Sequence, residues 1–183
     1  MDTIYRNAKR LNRLTEDVLD LTKIESQSLQ LHTEQFNLRE MILNTIADSR
    51  NEIKKEYKDN IVLEFVCKND IFIEADRGRL NQVVSNLLNN AIKFTNKGII
   101  ITTAEKKDTH VVISVKDTGT GIDPEILPRL FTRFATKSES KTGTGLGLFI
   151  SKSIVEAHGG RIRAENNADA KGATFTFRLP LEC

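Results

Sequence analysis

Only two cysteines, Cys67 and Cys183, occur in the 183 residues. They make neither a disulfide scaffold nor a metal-binding pattern, and both are read as reduced thiols, which suits the cytoplasm. No apolar run reaches the ~18 residues of a membrane-spanning helix. The N-terminal stretch MDTIYRNAKR has no apolar signal core. A net charge of +2 is too small to argue for a nucleic-acid partner. Two familiar phosphate-binding signatures are also missing. No glycine precedes a Gly-Lys-Ser/Thr triplet in the frame of a Walker A loop, and no G-x-G-x-x-G follows a strand.

What is present is an apolar fraction of 39% with 28% charged residues, which supports a packed core under a well-solvated surface and argues against disorder. The length suits one domain plus an appendage. The appendage is residues 1–27. TIYRNAKRLNRLTEDVLDLTKIES contains no Gly or Pro. Leu11, Leu14, Val18 and Leu21 recur at three, four and three. A helix of this length runs roughly 35 Å, which favours a helical bundle or coiled-coil seam over a helix folded back on its own small domain.

Residues 28–183 read as one domain. LQLHTEQF is a plausible strand, and Asn37 caps a helix to about Tyr57, with Glu40 placed as in a capping box. NIVLEFVCKN and DIFIEA are strands flanking a turn at KND. Asp76 caps a helix whose Leu80, Val83, Val84, Leu87, Leu88 and Ala91 make one apolar face. GIIITTAEK and THVVISVKD are strands. A short helix at DPEILPRLF leads into a polar loop, and LGLFISKSIVEAH is a helix stopped by Gly159-Gly160. RIRAENN and GATFTFRLPL close the chain as a hairpin-like pair. Three helices and about six strands, most adjoining another strand, predict an α+β fold. It is a two-layer α/β sandwich, its mixed or mostly antiparallel sheet covered by three helices on one face and preceded by the long N-terminal helix.

Four local features bear on function. Gly143, Gly145 and Gly147 alternate in KTGTGLGLFIS, and Asp117, Gly119 and Gly121 sit in DTGTGIDP; such runs let a backbone approach phosphates, or merely form a hinge leading into a helix. Asn86, Asn90 and Lys93 share a helix face, either as a ligand-facing set or as a solvated stripe. Arg129, Arg133, Lys137 and Lys141 recur every four residues around Phe131 and Phe134, a pattern that is usually a solvated basic face.

Their order is more specific than any one of them. N-x-x-x-N-A-x-K-F, D-x-G-x-G, two phenylalanines, G-x-G-x-G and GATFTF follow one another. Together they resemble the ATP-binding domain of sensor histidine kinases, a fold shared with gyrase, the heat-shock chaperone and mismatch-repair ATPases. RLNRLTEDVLDLTKIES is similar to the second helix of that family's dimerisation bundle. The resemblance implies that Asp117 accepts a hydrogen bond from the adenine amino group, with Thr174 supporting it through water. It implies that Gly119 and Gly121 turn the chain beneath the base, and that Asn90 binds Mg²⁺ through its amide oxygen. Asn86 and Lys93 would face the phosphates. Gly143, Gly145, Leu146 and Gly147 would present backbone at the start of the following helix. The loop from Phe131 to Thr142 would be a mobile lid, with Arg133 offsetting charge at the γ-phosphate. The family often has Tyr where Phe94 stands and Ile where Thr120 stands.

Gyrase-like and chaperone-like ATPases, and the serine kinases acting on sigma-factor regulators, resemble each other in carrying Glu at the position of Asn86. An amide is no useful base, so a dedicated hydrolase is disfavoured. A histidine kinase needs an acceptor in an H-[ED]-[LI]-[RK] context, and none of His32, His110 and His158 has it. The expectation is a catalytic domain whose acceptor lies on a helix absent from this chain. ATP, the acceptor-histidine helix and a response-regulator receiver domain are its partners. Nucleic acid and membrane are not, and a homodimer through the N-terminal helix is open. The parent protein could still be membrane-anchored. The alternative is a nucleotide-binding regulatory module of the same fold without phosphotransfer.

Overall fold

A computed structural model of the chain describes residues 2–53, 60–135, 144–168 and 171–181. Helix α1 spans Asp2–Glu25, and α2, Leu38–Glu52, follows the short strand β1, Glu34–Asn37. The Asn37 side chain accepts from the backbone N–H groups of Arg39 and Glu40, which satisfies donors that the first helical turn leaves orphaned. Residues 54–59, within the expected end of this helix, lie outside the described residues. Strands β2, Ile61–Val66, and β3, Phe72–Ala75, precede α3, Arg77–Phe94, which Asp76 caps by accepting from Arg79 N at 2.9 Å. Strands β4, Gly98–Lys106, and β5, His110–Asp117, come next, then a 3-10 turn at Leu127–Arg129. Helix α4, Gly147–Ala157, and strands β6, Arg161–Asn166, and β7, Ala173–Pro180, complete the chain.

The main sheet has five strands in the order β2-β4-β5-β7-β6, parallel between β2 and β4 and antiparallel elsewhere. The expected mixed α+β sandwich is therefore present, with β6 and β7 paired as a hairpin. Although β2 and β3 flank the expected turn, they do not pair with each other: β3 pairs antiparallel with β1 in a separate two-stranded sheet. The stretch expected as a strand from Leu29 reduces to β1. Parallel pairing of β2 with β4 needs a crossover, and β3 with α3 supplies it.

Alternation along the strands fixes which face is covered. Ile100, Ala104, Val111, Ile113, Val115, Phe175 and Phe177 are buried beneath the helices, while Val62, Val66 and Ile99 on the other face are exposed. Helix α3 contributes Leu80, Val83, Val84, Leu87 and Leu88 to this core, all fully buried, each worth roughly 1.5–3 kcal/mol. His158, 7% exposed, ties the helix layer together. Its Nε2 accepts from Asp76 N at 3.1 Å and its Nδ1 lies 2.8 Å from Ile154 O, so the ring bridges the start of α3 and the end of α4.

Helix α1 does not stand clear. Its Asp17 and Asp20 are buried, and Leu21 and Ile24 pack on the core. Asp20 accepts from Arg79 Nη1 and Gln82 Nε2, each at 2.7 Å. Leu11, Val18 and Leu19 stay exposed, so the stripe expected to form a bundle seam is divided. Among the described residues, no helix is long and apolar enough to cross a membrane. Cys67 is a free thiol, held by its contact to Asn69 O at 3.1 Å; Cys183 lies outside the described residues.

Candidate nucleotide site

A cavity of about 750 Å³ opens between α3, the end of β5 and the start of α4. That volume suits a ligand of nucleotide size. Asn86, Asn90 and Lys93, spaced four and three along α3, all line it, as the helical period requires. They do not play equal parts. Asn86 is buried, donates from Nδ2 to Ser151 Oγ at 3.0 Å, and lies directly beneath Gly147, where an added Cβ would stand 2.4 Å from its Oδ1. It is a cross-link between α3 and α4 at the cavity edge. Asn90 makes no side-chain hydrogen bond with another described residue, so its amide is available to the cavity. Lys93 stands 4.9 Å from the ring centre of Phe94 while lining the same wall.

At the opposite wall, Asp117 is 3% exposed at the last position of β5. Its Oδ1 accepts from Gly119 N at 2.8 Å and Ala173 N at 3.3 Å, and the carboxylate lines the cavity. Burial pushes its pKa up, against the pull of those two N–H donors. Gly119 does not line the cavity; it lets the loop pass the carbonyl of Phe94, which an added Cβ would meet at 2.3 Å. Gly121 does line it.

Two asparagines that sequence reading passed over hold this loop. Asn166 pairs with the backbone of Ile122 in both directions, accepting from its N–H at 2.7 Å and donating to its O at 2.8 Å. Asn167 donates to Asp117 O at 2.8 Å and accepts from Thr174 Oγ1 at 2.7 Å. The visible signal was the polar pair ending RIRAENN.

Thr174 itself is not brought to the cavity, which corrects the expectation for it. Neighbouring strand residues face opposite sides, and it is Ala173 and Phe175 that line the wall. No hydroxyl stands at Ala173.

At the third wall Gly145 and Gly147 line the cavity. Leu146 does not; it is buried in the core and begins the turn into α4. Gly143, Lys137 and Lys141 lie outside the described residues, with most of the expected lid. Arg133 is not brought to the cavity either: it pairs with Glu25 of α1 and sits 5.2 Å from the ring centre of Phe149. Leu14 and Asp17 of α1 do line the cavity, which the sequence reading did not foresee. None of His32, His110 and His158 lines it.

Comparison with known proteins places this geometry. Residues 75–183, more than half of the chain, match the profile of a family described as histidine kinase-, DNA gyrase B-, and HSP90-like ATPase. The chain is 38% identical to the sensor protein KdpD of Clostridium acetobutylicum over 98% of its own length, and spans about a fifth (20%) of that protein. Its structure is similar to full-length ShkA in complex with AMPPNP, with a TM-score of 0.82 and 28% identity over 96% of this chain and 36% of that one. It is also similar to histidine kinase ThkA in complex with the response regulator protein TrrA, with a TM-score of 0.72 and 34% identity over 93% of this chain and 49% of that one.

Proposed function

Because the chain belongs to the family of histidine kinase-, DNA gyrase B- and HSP90-like ATPases, we propose that it is the catalytic part of a two-component sensor kinase. In this reading it transfers the γ-phosphate of ATP to a histidine carried on a helix other than those described. A response-regulator receiver domain is the next partner, by analogy with the ThkA–TrrA complex. The work is done on the cytoplasmic side. Residues 1–27 form part of the dimerisation bundle, through which a homodimer can assemble, and 28–183 form the ATP-binding domain. The observation that carries the reading is the cavity itself, with a buried carboxylate at one end and the start of α4 at the other.

Asp117 reads the base. With Oδ1 fixed by two backbone N–H groups, the other carboxylate oxygen accepts from the adenine amino group and repels the guanine carbonyl. Lys93 and the backbone N–H groups beginning α4 hold the phosphates. Arg133 supplies charge at the γ-phosphate once it leaves Glu25. Among the described residues no group of three His, Cys, Asp or Glu side chains could hold a metal by itself. A single amide such as Asn90 fits Mg²⁺, which keeps water and phosphate oxygens in its shell. Mg²⁺ held there would supply charge compensation for the phosphates. Asn86 is an amide committed to Ser151, so water activation has no base at that position and hydrolysis should be slow.

The test is incubation with γ-labelled ATP, with and without the parent kinase's two-helix bundle. The chain alone should stay unlabelled, since no histidine lines the cavity. The bundle should acquire label that is acid-labile and base-stable. Absence of label on the bundle, with ATP bound, would favour a regulatory module without phosphotransfer.

Asn90→Ala should remove most of the Mg²⁺-dependent part of ATP affinity and leave the apo melting temperature within a degree or two, as for a surface change. Titration calorimetry with and without Mg²⁺, beside a thermal melt, checks both. A fall of several degrees would make Asn90 structural instead.

A further inference from the structure

One wall of the cavity comes from α1, outside the family motifs. Leu14 and Asp17 line it. Asp17 is 7% exposed, while Val18 and Leu19 beside it are more than half exposed. Its Oδ2 accepts from Thr144 Oγ1 at 2.9 Å, and the same hydroxyl oxygen accepts from Leu146 N at 3.2 Å. Leu146 directly precedes α4. The carboxylate therefore stands, through one hydroxyl, at the N-terminus of an 11-residue helix, where unpaired N–H groups and the helix dipole favour an anion. The same helix carries away the lid cation, since Glu25 pairs with Arg133. Asp20, bonded to Arg79 and Gln82, anchors α1 between these two points.

We propose that Asp17 is an internal stand-in for a phosphate, so that docking of α1 and binding of the γ-phosphate compete for the start of α4. The proposal rests on the nucleotide reading above and adds to it a residue that sets the preference between tri- and diphosphate. A triphosphate brings negative charge toward a nearly buried carboxylate, and it draws Arg133 from Glu25. Adenosine reaches only the Asp117 end and leaves Asp17 in place. Linkage makes the coupling reciprocal: whatever lifts α1 raises the affinity for ATP, and ATP loosens α1. Motion of α1 and the state of the nucleotide site are then two readings of one equilibrium.

Asp17→Asn tests this without emptying the position, because its amide oxygen still accepts from Thr144. Affinities of ATP, ADP and adenosine are measured by calorimetry for both proteins. ATP should bind about tenfold tighter to the variant, ADP by a smaller factor, and adenosine within about twofold of wild type. In the wild-type protein, hydrogen exchange over residues 14–25 should accelerate with ATP and not with adenosine. ATP binding equally or more weakly to the variant, or slower exchange of 14–25 with ATP, would overturn the competition while adenosine binding left the nucleotide site standing. Failure of the wild-type protein to bind ATP or adenosine at all would instead bring down the nucleotide reading.

Discussion

Asp117→Asn is expected to weaken ATP by at least about a hundredfold and to leave the folded structure in place. The substitution keeps an oxygen for the N–H groups of Gly119 and Ala173, which already share Oδ1. It turns the other oxygen into an amino group. Adenine then presents a donor to a donor in a site that is 3% exposed, and an unmatched buried polar pair discriminates strongly. Guanine, with a carbonyl at that position, should lose far less, so the ratio of ATP to GTP affinity should fall. Competition calorimetry with both nucleotides measures it; an unchanged ratio would remove Asp117 from the base-reading role.

The pH dependence gives a second, independent signature. Burial holds the Asp117 carboxyl above its ordinary value of 3.8. The charged form is therefore the disfavoured one in the folded, nucleotide-free protein. The sign for stability follows: Asp117 contributes stabilisation below 3.8 that is lost as the pH rises through the raised value. Binding runs the other way, because protonation converts the acceptor into a donor. As the pH falls through the raised value, ATP affinity should decline while the apo protein gains stability from this group. The difference between wild type and Asp117→Asn, in melts and in titrations, isolates the two opposite slopes.

Which parts of this site could be read from sequence follows from the range of the interactions that build it. Asn86, Asn90 and Lys93 were legible because helical spacing alone puts them on one face. Asp117 was singled out only through the ordered set of motifs that resembles the kinase family, since a carboxylate followed by alternate glycines could equally be a turn; the structure then puts it on the cavity wall. Asn37 and Asp76 were legible as caps for a local reason as well. Thr174 was misassigned by one residue, since a strand's period of two says nothing about its phase until the strand is paired; Ala173 and Phe175 took the cavity side. The turn at KND hid the separation of β2 from β3, because the choice of β4 as partner for β2 depends on the intervening crossover. Asp17 was invisible for the strongest reason. Its role exists only when α1 lies against Thr144, a contact spanning 127 positions of chain. Read alone, it is one more polar residue on an amphipathic helix.

Gly172→Ala should be the most damaging glycine-to-alanine change among the described residues, and it separates the backbone's part in base reading from that of the carboxylate. Gly172 has φ +112, a region that L side chains rarely adopt, and an added Cβ would stand 2.1 Å from the carbonyl oxygen of Asp117 and 2.9 Å from Thr118 Cα. Both neighbours are backbone. Asp117 O is further held by Asn167 at 2.8 Å, so it cannot swing aside as a flexible side chain would. Strain and overlap together should lower stability by about 2–4 kcal/mol, or roughly 5–15 °C in Tm for a chain of this size. The displaced Asp117 should also lose its register with adenine, so ATP affinity at a temperature where the variant is folded should fall at least about tenfold. Gly159→Ala is the control. It shares a left-handed φ of +71, but its Cβ meets only Pro180 Cγ at an ordinary 3.5 Å. That variant should show the conformational penalty alone, about 1–2 kcal/mol, with nucleotide affinity unchanged. Equal losses of stability in the two variants would mean that the contact with Asp117 O relaxes freely. The loop would then be held by Asn166 and Asn167 and not by the closeness of the two backbones.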